Sequence, residues 1–285
     1  MKILFCGDIV GRSGREIACK LLPSLRQSLN LDWVIINGEN AASGFGITED
    51  ICKELYKAGV DVITTGNHVW DQKSLLHYID QDRKLLRPLN YPRMTPGAGL
   101  VCLRKEGKKD LVVVNLMTRL FMETLDDPFA CMMEVLDEFA LNEENVGAIV
   151  VDIHGEANSE KMAFAHYVDG KVSFVVGTHT HIPTADAHIL SHGTAYQTDA
   201  GMCGDYDSVI GMEKQEAIGR FVRRYSESRL SPALGEATLC GVYVEINDHT
   251  GLADYISSLR LGGILSPAWP AKLDSGILES LQKKL

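Results

Sequence analysis

Three times in its first 82 residues the chain runs from a β-branched apolar segment, through a glycine-bearing polar turn, into a helical stripe. The strand-like segments are KILFCGD (2–8), DWVIINGEN (32–40) and VDVITTGNH (60–68). The helical ones are GRSGREIACKLLPSLRQSL (11–29), ITEDICKELYKAG (47–59) and WDQKSLLHYIDQD (70–82). Ile17, Leu21, Leu22 and Leu25 follow a 3.6 period despite Pro23, and Thr48 stands where a helix cap belongs. Strand, turn and helix in alternation predict a largely parallel α/β sheet. Crossovers of one hand then gather the polar strand ends along a single edge.

The middle is more mixed. LRPLNYPRMTPGAG (86–99) reads as an irregular loop, and GLVCLR with KKDLVVVNLM as a hairpin. A helix at 125–142, a strand at 145–156, a helix at 158–168 and a strand at 171–182 follow. AHIL, GTAYQTDAG and LCGVYVEIND read as shorter strands, with one helix over 211–225. Two halves that each begin with parallel strands predict two sheets packed in one domain over 1–285, helices outside. The stretch from about 262 reads as a loosely docked tail.

With 38 acidic and 28 basic residues the formal net charge is −10, which disfavours duplex nucleic acid or an anionic membrane as partner. Short basic runs such as RRYSESR (223–229) read as a solvated helix face. No apolar stretch reaches membrane-spanning length, and MKILFCGDIVG lacks the features of a signal peptide. Seven cysteines without C-x-x-C spacing predict reduced thiols and a cytoplasmic protein. Self-association is left open, since no isolated apolar surface stripe stands out.

Polar residues that follow the apolar runs carry the chemistry. They are Asp8; Glu39 and Asn40; Asn67 and His68; His154, with Asp152 two positions earlier; and His179 and His181. Each has a plain structural alternative: a cap for Asp8, a solvated loop for Glu39 and Asn40, a turn for Asn67, a core histidine for His154. His179 and His181 would share one side of a strand that stays extended. Jointly, at least five strands ending in carboxylate, amide or imidazole fit two divalent ions better. Glu39 is the natural bridge. Asp8 and His181 complete one ion; Asn67, His154 and His179 complete the other; Asn40 stays undecided, and Asp152 is either a ligand or a residue that orients one. Mixed oxygen and nitrogen donors suit Fe, Mn or Zn. Such a pair activates a water as nucleophile and neutralises phosphoryl charge, and His68 would protonate the leaving oxygen.

The ordered segments GDIVGRSGR, NGENAASGFGIT, TTGNHVWD, VDIHGEA, GTHTHIPTAD and GTAYQTDAGMCGDYDSVIG resemble the calcineurin-like metallophosphoesterases, and more closely their YmdB-type branch. The resemblance runs from Met1 to about Asn247. It implies a four-layer α/β/β/α sandwich of two mixed sheets and a dinuclear centre. It moves Asn40 beside Asp8, Glu39 and His181 on one ion, with Glu39, Asn67, His154 and His179 on the other and His68 as proton donor. It implies phosphodiesterase activity on cyclic nucleotides such as 2′,3′-cAMP, with iron as metal, manganese as substitute and zinc less suited. Two positions depart from the broader superfamily: Val10 stands where an Asp-x-His histidine is usual, and Glu39 where an aspartate bridges. Arg119 is read as a phosphate contact or a surface salt bridge, and Tyr196 and Tyr206 as candidate base-stacking residues. A 5′-nucleotidase-type phosphomonoesterase and a metal-containing regulatory protein are the alternatives.

Overall fold

The computed structural model describes residues 1–285 apart from 144, 224 and 226–228. Most of the RRYSESR run therefore lies outside the described residues. In chain order the strands and helices are β1 (Lys2–Cys6), β2 (Asp8–Ile9), α1 (Gly11–Ser28), β3 (Trp33–Asn37), α2 (Glu49–Lys57), β4 (Val62–Thr64), β5 (Leu85–Leu86), β6 (Leu100–Leu103), β7 (Asp110–Met117), α3 (Pro128–Glu138), β8 (Val146–His154), α4 (Asn158–Tyr167), β9 (Phe174–Thr178), β10 (His188–Ile189), β11 (Ala195–Gln197), β12 (Met202–Asp205), α5 (Lys214–Arg223), β13 (Ala237–Ile246), β14 (Ala253–Leu261) and α6 (Ser275–Gln282).

One sheet runs β2-β12-β13-β1-β3-β4-β5, with β14 on β13; the other runs β10-β11-β9-β8-β7-β6. In the first, β1, β3, β4 and β5 are parallel, and β13 and β14 add antiparallel strands. In the second, β7, β8 and β9 are parallel, and β6 closes the hairpin expected from the sequence.

Strand alternation builds the four layers. Ile3 and Phe5 of β1 point into a core between the sheets with Leu111, Val113, Val150 and Phe174, while Leu4 and Cys6 point the other way, toward α1 and α2. Val112, Val114, Ile149 and Val151 face α3 and α4 through Met132, Val135 and Phe164. The α/β/β/α sandwich is thus α1, α2 and α6, the first sheet, the second sheet, then α3 and α4.

Several local readings change. The third helix at 70–82 is two 3-10 turns, Lys73–His77 and Ile79–Gln81. Its start is committed elsewhere: Asp71 bonds His68, and Gln72 Nε2 donates to the Phe45 carbonyl. Only Leu75 and Ile79 are fully buried there, too narrow a stripe to hold a regular helix. Thr48 sits at the N-cap of α2 without a side-chain cap bond. β14 pairs along β13, where the sequence pattern predicts no strand. β9 stops at Thr178, so His179 and His181 are not on an extended strand; their φ values are 98° and 67°. In the segment after Gly262, Leu281 of α6 is buried in the cluster formed around α1. α5 leaves Ile218, Phe221 and Val222 exposed. No helix among the described residues is long and apolar enough to cross a membrane.

Phe5 and Phe174 meet edge-to-face at 6.5 Å across the two sheets, both fully buried. Phe5→Ala and Phe174→Ala should each destabilise the fold by about 3–5 kcal/mol in urea titrations. The double variant should lose about 0.5–1.5 kcal/mol less than the sum. Additive losses would mean the rings do not couple the sheets.

Candidate metal centre

The parallel strands of both sheets end at one seam. The first sheet delivers Asp8 after β1, Glu39 and Asn40 after β3, and Asn67 and His68 after β4. The second delivers His154 as the last residue of β8, and His179 and His181 just beyond β9. All eight join one network of contacts. Glu39, His154 and His179 form one group able to hold a cation, and Asp8, Glu39 and His181 another. Within each, the donor atoms lie within 4.8 Å of one another. Glu39 belongs to both groups.

Hydrogen-bond directions test whether cations fit. His181 Nδ1 lies 2.7 Å from the Ile210 carbonyl oxygen, an acceptor only, so Nδ1 carries the proton. Burial lowers the pKa of His181, which keeps the ring neutral and leaves a lone pair on Nε2. That lone pair faces Asn40 Oδ1 at 3.2 Å. The Asn40 amide cannot flip to help, because its Nδ2 donates to the Gly44 carbonyl at 2.9 Å. Two acceptors pointed at each other inside the protein need a cation between or beside them.

His154 repeats the pattern. Thr178 Oγ1 donates to Asp152 Oδ1 at 2.6 Å and accepts from His154 Nδ1 at 2.8 Å. His154 Nε2 then has three electron-rich neighbours: Asn67 Oδ1 at 3.0 Å, His179 Nδ1 at 3.1 Å and Glu39 Oε1 at 3.2 Å. One proton on Nε2 can serve one of them. Asp152 also accepts from Thr64 Oγ1 at 2.5 Å and Asn37 Nδ2 at 3.0 Å, so it orients His154 through Thr178. Asn37, Thr64 and Thr178 escape sequence reasoning; they are strand residues beneath the ends, with no pattern of their own. The donors fit two cations, and the described site residues include no thiolate.

Titration follows from the same crowding. Burial pushes the Asp8 carboxyl well above the usual range, with Glu39, Asp152 and Asp199 adding repulsion and His154 opposing. Burial also disfavours charge on Glu39, yet His154 and the other imidazoles hold it at about 2. Burial opposes protonation of His154, but Glu39, Asp8 and Asp152 outweigh it and raise its pKa to about 9. Burial and the neighbouring His154 lower His179 to about 3. A proton on His154 thus stands in for positive charge that the carboxylates require.

His68 lies at the rim. Its backbone N–H donates to Glu39 Oε2 at 3.2 Å, and its Nδ1 bonds Asp71 Oδ2 at 2.8 Å. Phe45 packs edge-on against the ring at 5.1 Å. Asp71 closes the TTGNHVWD motif, three residues beyond His68, and that spacing is its only signal in the sequence. Gly66 makes room for all of this: a Cβ there would collide with His154 Nε2 and Glu39 Oε2.

Other candidates fall away. Arg119 pairs with Asp127 at 3.3 Å, the salt-bridge reading. Tyr196 is buried with its hydroxyl on Thr198, so it presents no stacking face, while the half-buried Tyr206 commits its hydroxyl to Met202 and the His181 carbonyl.

A family model described as YmdB-like protein matches residues 4–259. The 2′,3′-cyclic-nucleotide 2′-phosphodiesterase of Bacillus subtilis (strain 168) is 46% identical over 261 residues, covering 92% of this chain and 97% of that protein. A solved structure of a hypothetical protein from Thermus thermophilus superposes with a TM-score of 0.85 at 40% identity, covering 93% of this chain and 100% of that one. A structure described as a novel phosphatase, from Mycoplasma pneumoniae, gives a TM-score of 0.85 at 31% identity over 98% of this chain and 96% of its own. With the family match running through every strand that ends at the seam, the chain belongs to the YmdB-type family of calcineurin-like metallophosphoesterases.

Proposed function

We propose that this chain is a metal-dependent phosphodiesterase that hydrolyses small phosphodiesters, with 2′,3′-cyclic nucleotides as its substrates. Asp8, Glu39, Asn40 and His181 hold one cation; Glu39, Asn67, His154 and His179 hold the other. The single observation that carries this reading is the opposition of fixed lone pairs, His181 Nε2 against Asn40 Oδ1 at 3.2 Å. The similarity to the Bacillus enzyme supports the substrate class. The carboxylate, amide and imidazole donors suit Fe, Mn or Zn; resemblance to the YmdB-type branch makes iron the proposed native metal, with manganese a substitute and zinc less suited. Seven unpaired thiols support a reducing, cytoplasmic setting. Side chains from both sheets meet at the centre, which supports one domain over 1–285. The exposed Ile218, Phe221 and Val222 face of α5 supports self-association.

Bound cations supply an activated water and offset the charge that builds on phosphoryl oxygens. The chain supplies the rest. Asp152, through Thr178, fixes which nitrogen of His154 faces the centre. The Ile210 carbonyl does the same for His181. As the P–O2′ bond breaks, the ribose oxygen takes a proton from His68 Nε2, while Asp71 holds the Nδ1 proton and steadies the ring. Phosphomonoester hydrolysis is the second reading, favoured by the Mycoplasma relative described as a phosphatase.

Purified protein should carry about two transition-metal ions per chain and turn over 2′,3′-cAMP faster than nucleoside monophosphates. The reverse preference would favour the phosphomonoesterase. A chain that holds no metal and stays inactive with added Mn²⁺ or Fe²⁺ would defeat both.

His68→Ala should lower kcat by about 10²–10⁴-fold while metal content by elemental analysis stays at the wild-type value. Loss of metal in that variant would make His68 a ligand and remove it as proton donor.

The His154 pKa is raised from 6.5 to about 9 in the metal-free fold. Its proton therefore stabilises that fold fully below pH 6.5, and the contribution is lost as pH rises through about 9. Chelated protein should melt at progressively lower temperature across this window, and metal-loaded protein should not, since the cations take over the proton's role. Parallel melting curves for the two forms would contradict the assignment of His154.

A further inference from the structure

Behind the His179–His181 turn lies a buried ion pair whose partners are backbone groups and Thr180. Lys161 Nζ is 3.0 Å from Asp199 Oδ2 and 3.0 Å from the Thr178 carbonyl oxygen. Both side chains are 0% exposed. A lysine is almost never fully buried unless its charge is paired, and Asp199 supplies that pairing here. Stability alone is a weak reason to keep such a pair, because apolar residues of similar volume often replace a buried ion pair at no loss.

The pair is wired to the turn at three points. Lys161 holds the Thr178 carbonyl. Asp199 Oδ2 accepts from the Thr180 N–H at 3.1 Å and from the Thr180 hydroxyl at 2.8 Å. Asp199 Oδ1 accepts from the Gly201 N–H at 2.9 Å, which anchors the carboxylate to the start of β12. Thr180 sits between two non-glycine residues of positive φ, His179 at 98° and His181 at 67°. Such conformations persist only where the surroundings over-determine them. An extended chain would place residues 179 and 181 on one face. Here His179 belongs to the group with Glu39 and His154, and His181 to the group with Asp8 and Glu39.

We infer that Lys161 and Asp199 are positioning residues for the metal centre: their ion pair clamps Thr178 and Thr180 and so aims His179 and His181 at different cation positions. The same helix turn serves the neighbouring strand end, where Glu160 accepts from the N–H groups of Arg119 and Leu120. α4 thus sets two of the loops at the seam through consecutive buried charges. The inference rests on the dinuclear reading above.

Lys161→Met removes the cation with little change of shape. Thr180→Val removes the hydroxyl that donates to Asp199 and accepts from the Ile182 N–H, and keeps both charges, so it decides the matter should Lys161→Met fail to fold. Mn²⁺ binding to metal-depleted full-length wild type and both variants should be followed by paramagnetic resonance, well below their melting temperatures, with unfolding curves of the metal-free forms alongside. Lys161→Met should weaken Mn²⁺ affinity by about 10–100-fold, and Thr180→Val should shift it in the same direction. A folded variant that melts earlier yet binds Mn²⁺ like wild type would overturn the inference, leaving the pair a purely stabilising one. Wild-type protein that takes up no Mn²⁺ would instead overturn the dinuclear reading, and this inference with it.

Discussion

At the seam between the two sheets, electron-rich atoms are held facing each other where water cannot separate them. Asp8, Glu39 and His154 are almost fully buried, and their neighbours Asn40 and His181 nearly so. Burying one such group without a partner is costly, and burying several together compounds the cost through repulsion. The fold therefore requires positive charge at this place, and much of the surrounding architecture serves to keep the donors fixed until it arrives.

That fixing comes from groups one step removed. Asp152 gathers Thr64, Asn37 and Thr178, and Thr178 in turn holds His154. The Gly44 carbonyl fixes the Asn40 amide and the Ile210 carbonyl fixes the His181 ring. Lys161 and Asp199 lock the turn that carries two of the imidazoles. None of these side chains is required to touch a substrate. Each limits the freedom of a group that the proposed chemistry needs, and a site ordered in advance loses less on binding its ions.

Much of the fold was legible because its strands are buried on both faces. Segments such as WVIIN and FVVGT are buried throughout and apolar up to their last one or two residues, and the helices between them carry plain 3.6 stripes. The hairpin of β6 and β7 was equally plain. The failures have local causes. The 70–82 segment has a helix-like composition, but Asp71 and Gln72 are tied to the His68 and Phe45 region, which breaks it into 3-10 turns. β14, ADYISSLRL, alternates weakly and is mostly half-buried, so only its pairing with β13 defines it. Base-stacking by Tyr196 was suggested by residue type alone, and burial removes it.

The order of the polar strand ends belongs to the sequence: Asp8, Glu39-Asn40, Asn67-His68, His154, then His179 and His181 each follow an apolar run or lie just past one. Their gathering follows from chain direction, since parallel strands with one-handed crossovers deliver their carboxyl ends to a single edge. What the sequence could not supply was orientation. Whether His181 offers Nδ1 or Nε2 depends on a carbonyl 29 positions away, at Ile210. Whether His179 and His181 share a face depends on an ion pair between α4 and the segment before β12. Such contacts join residues far apart in the chain through backbone groups and single side chains, which leave no periodicity to read. The residue types set which chemistry is available, and the tertiary contacts decide where each lone pair points.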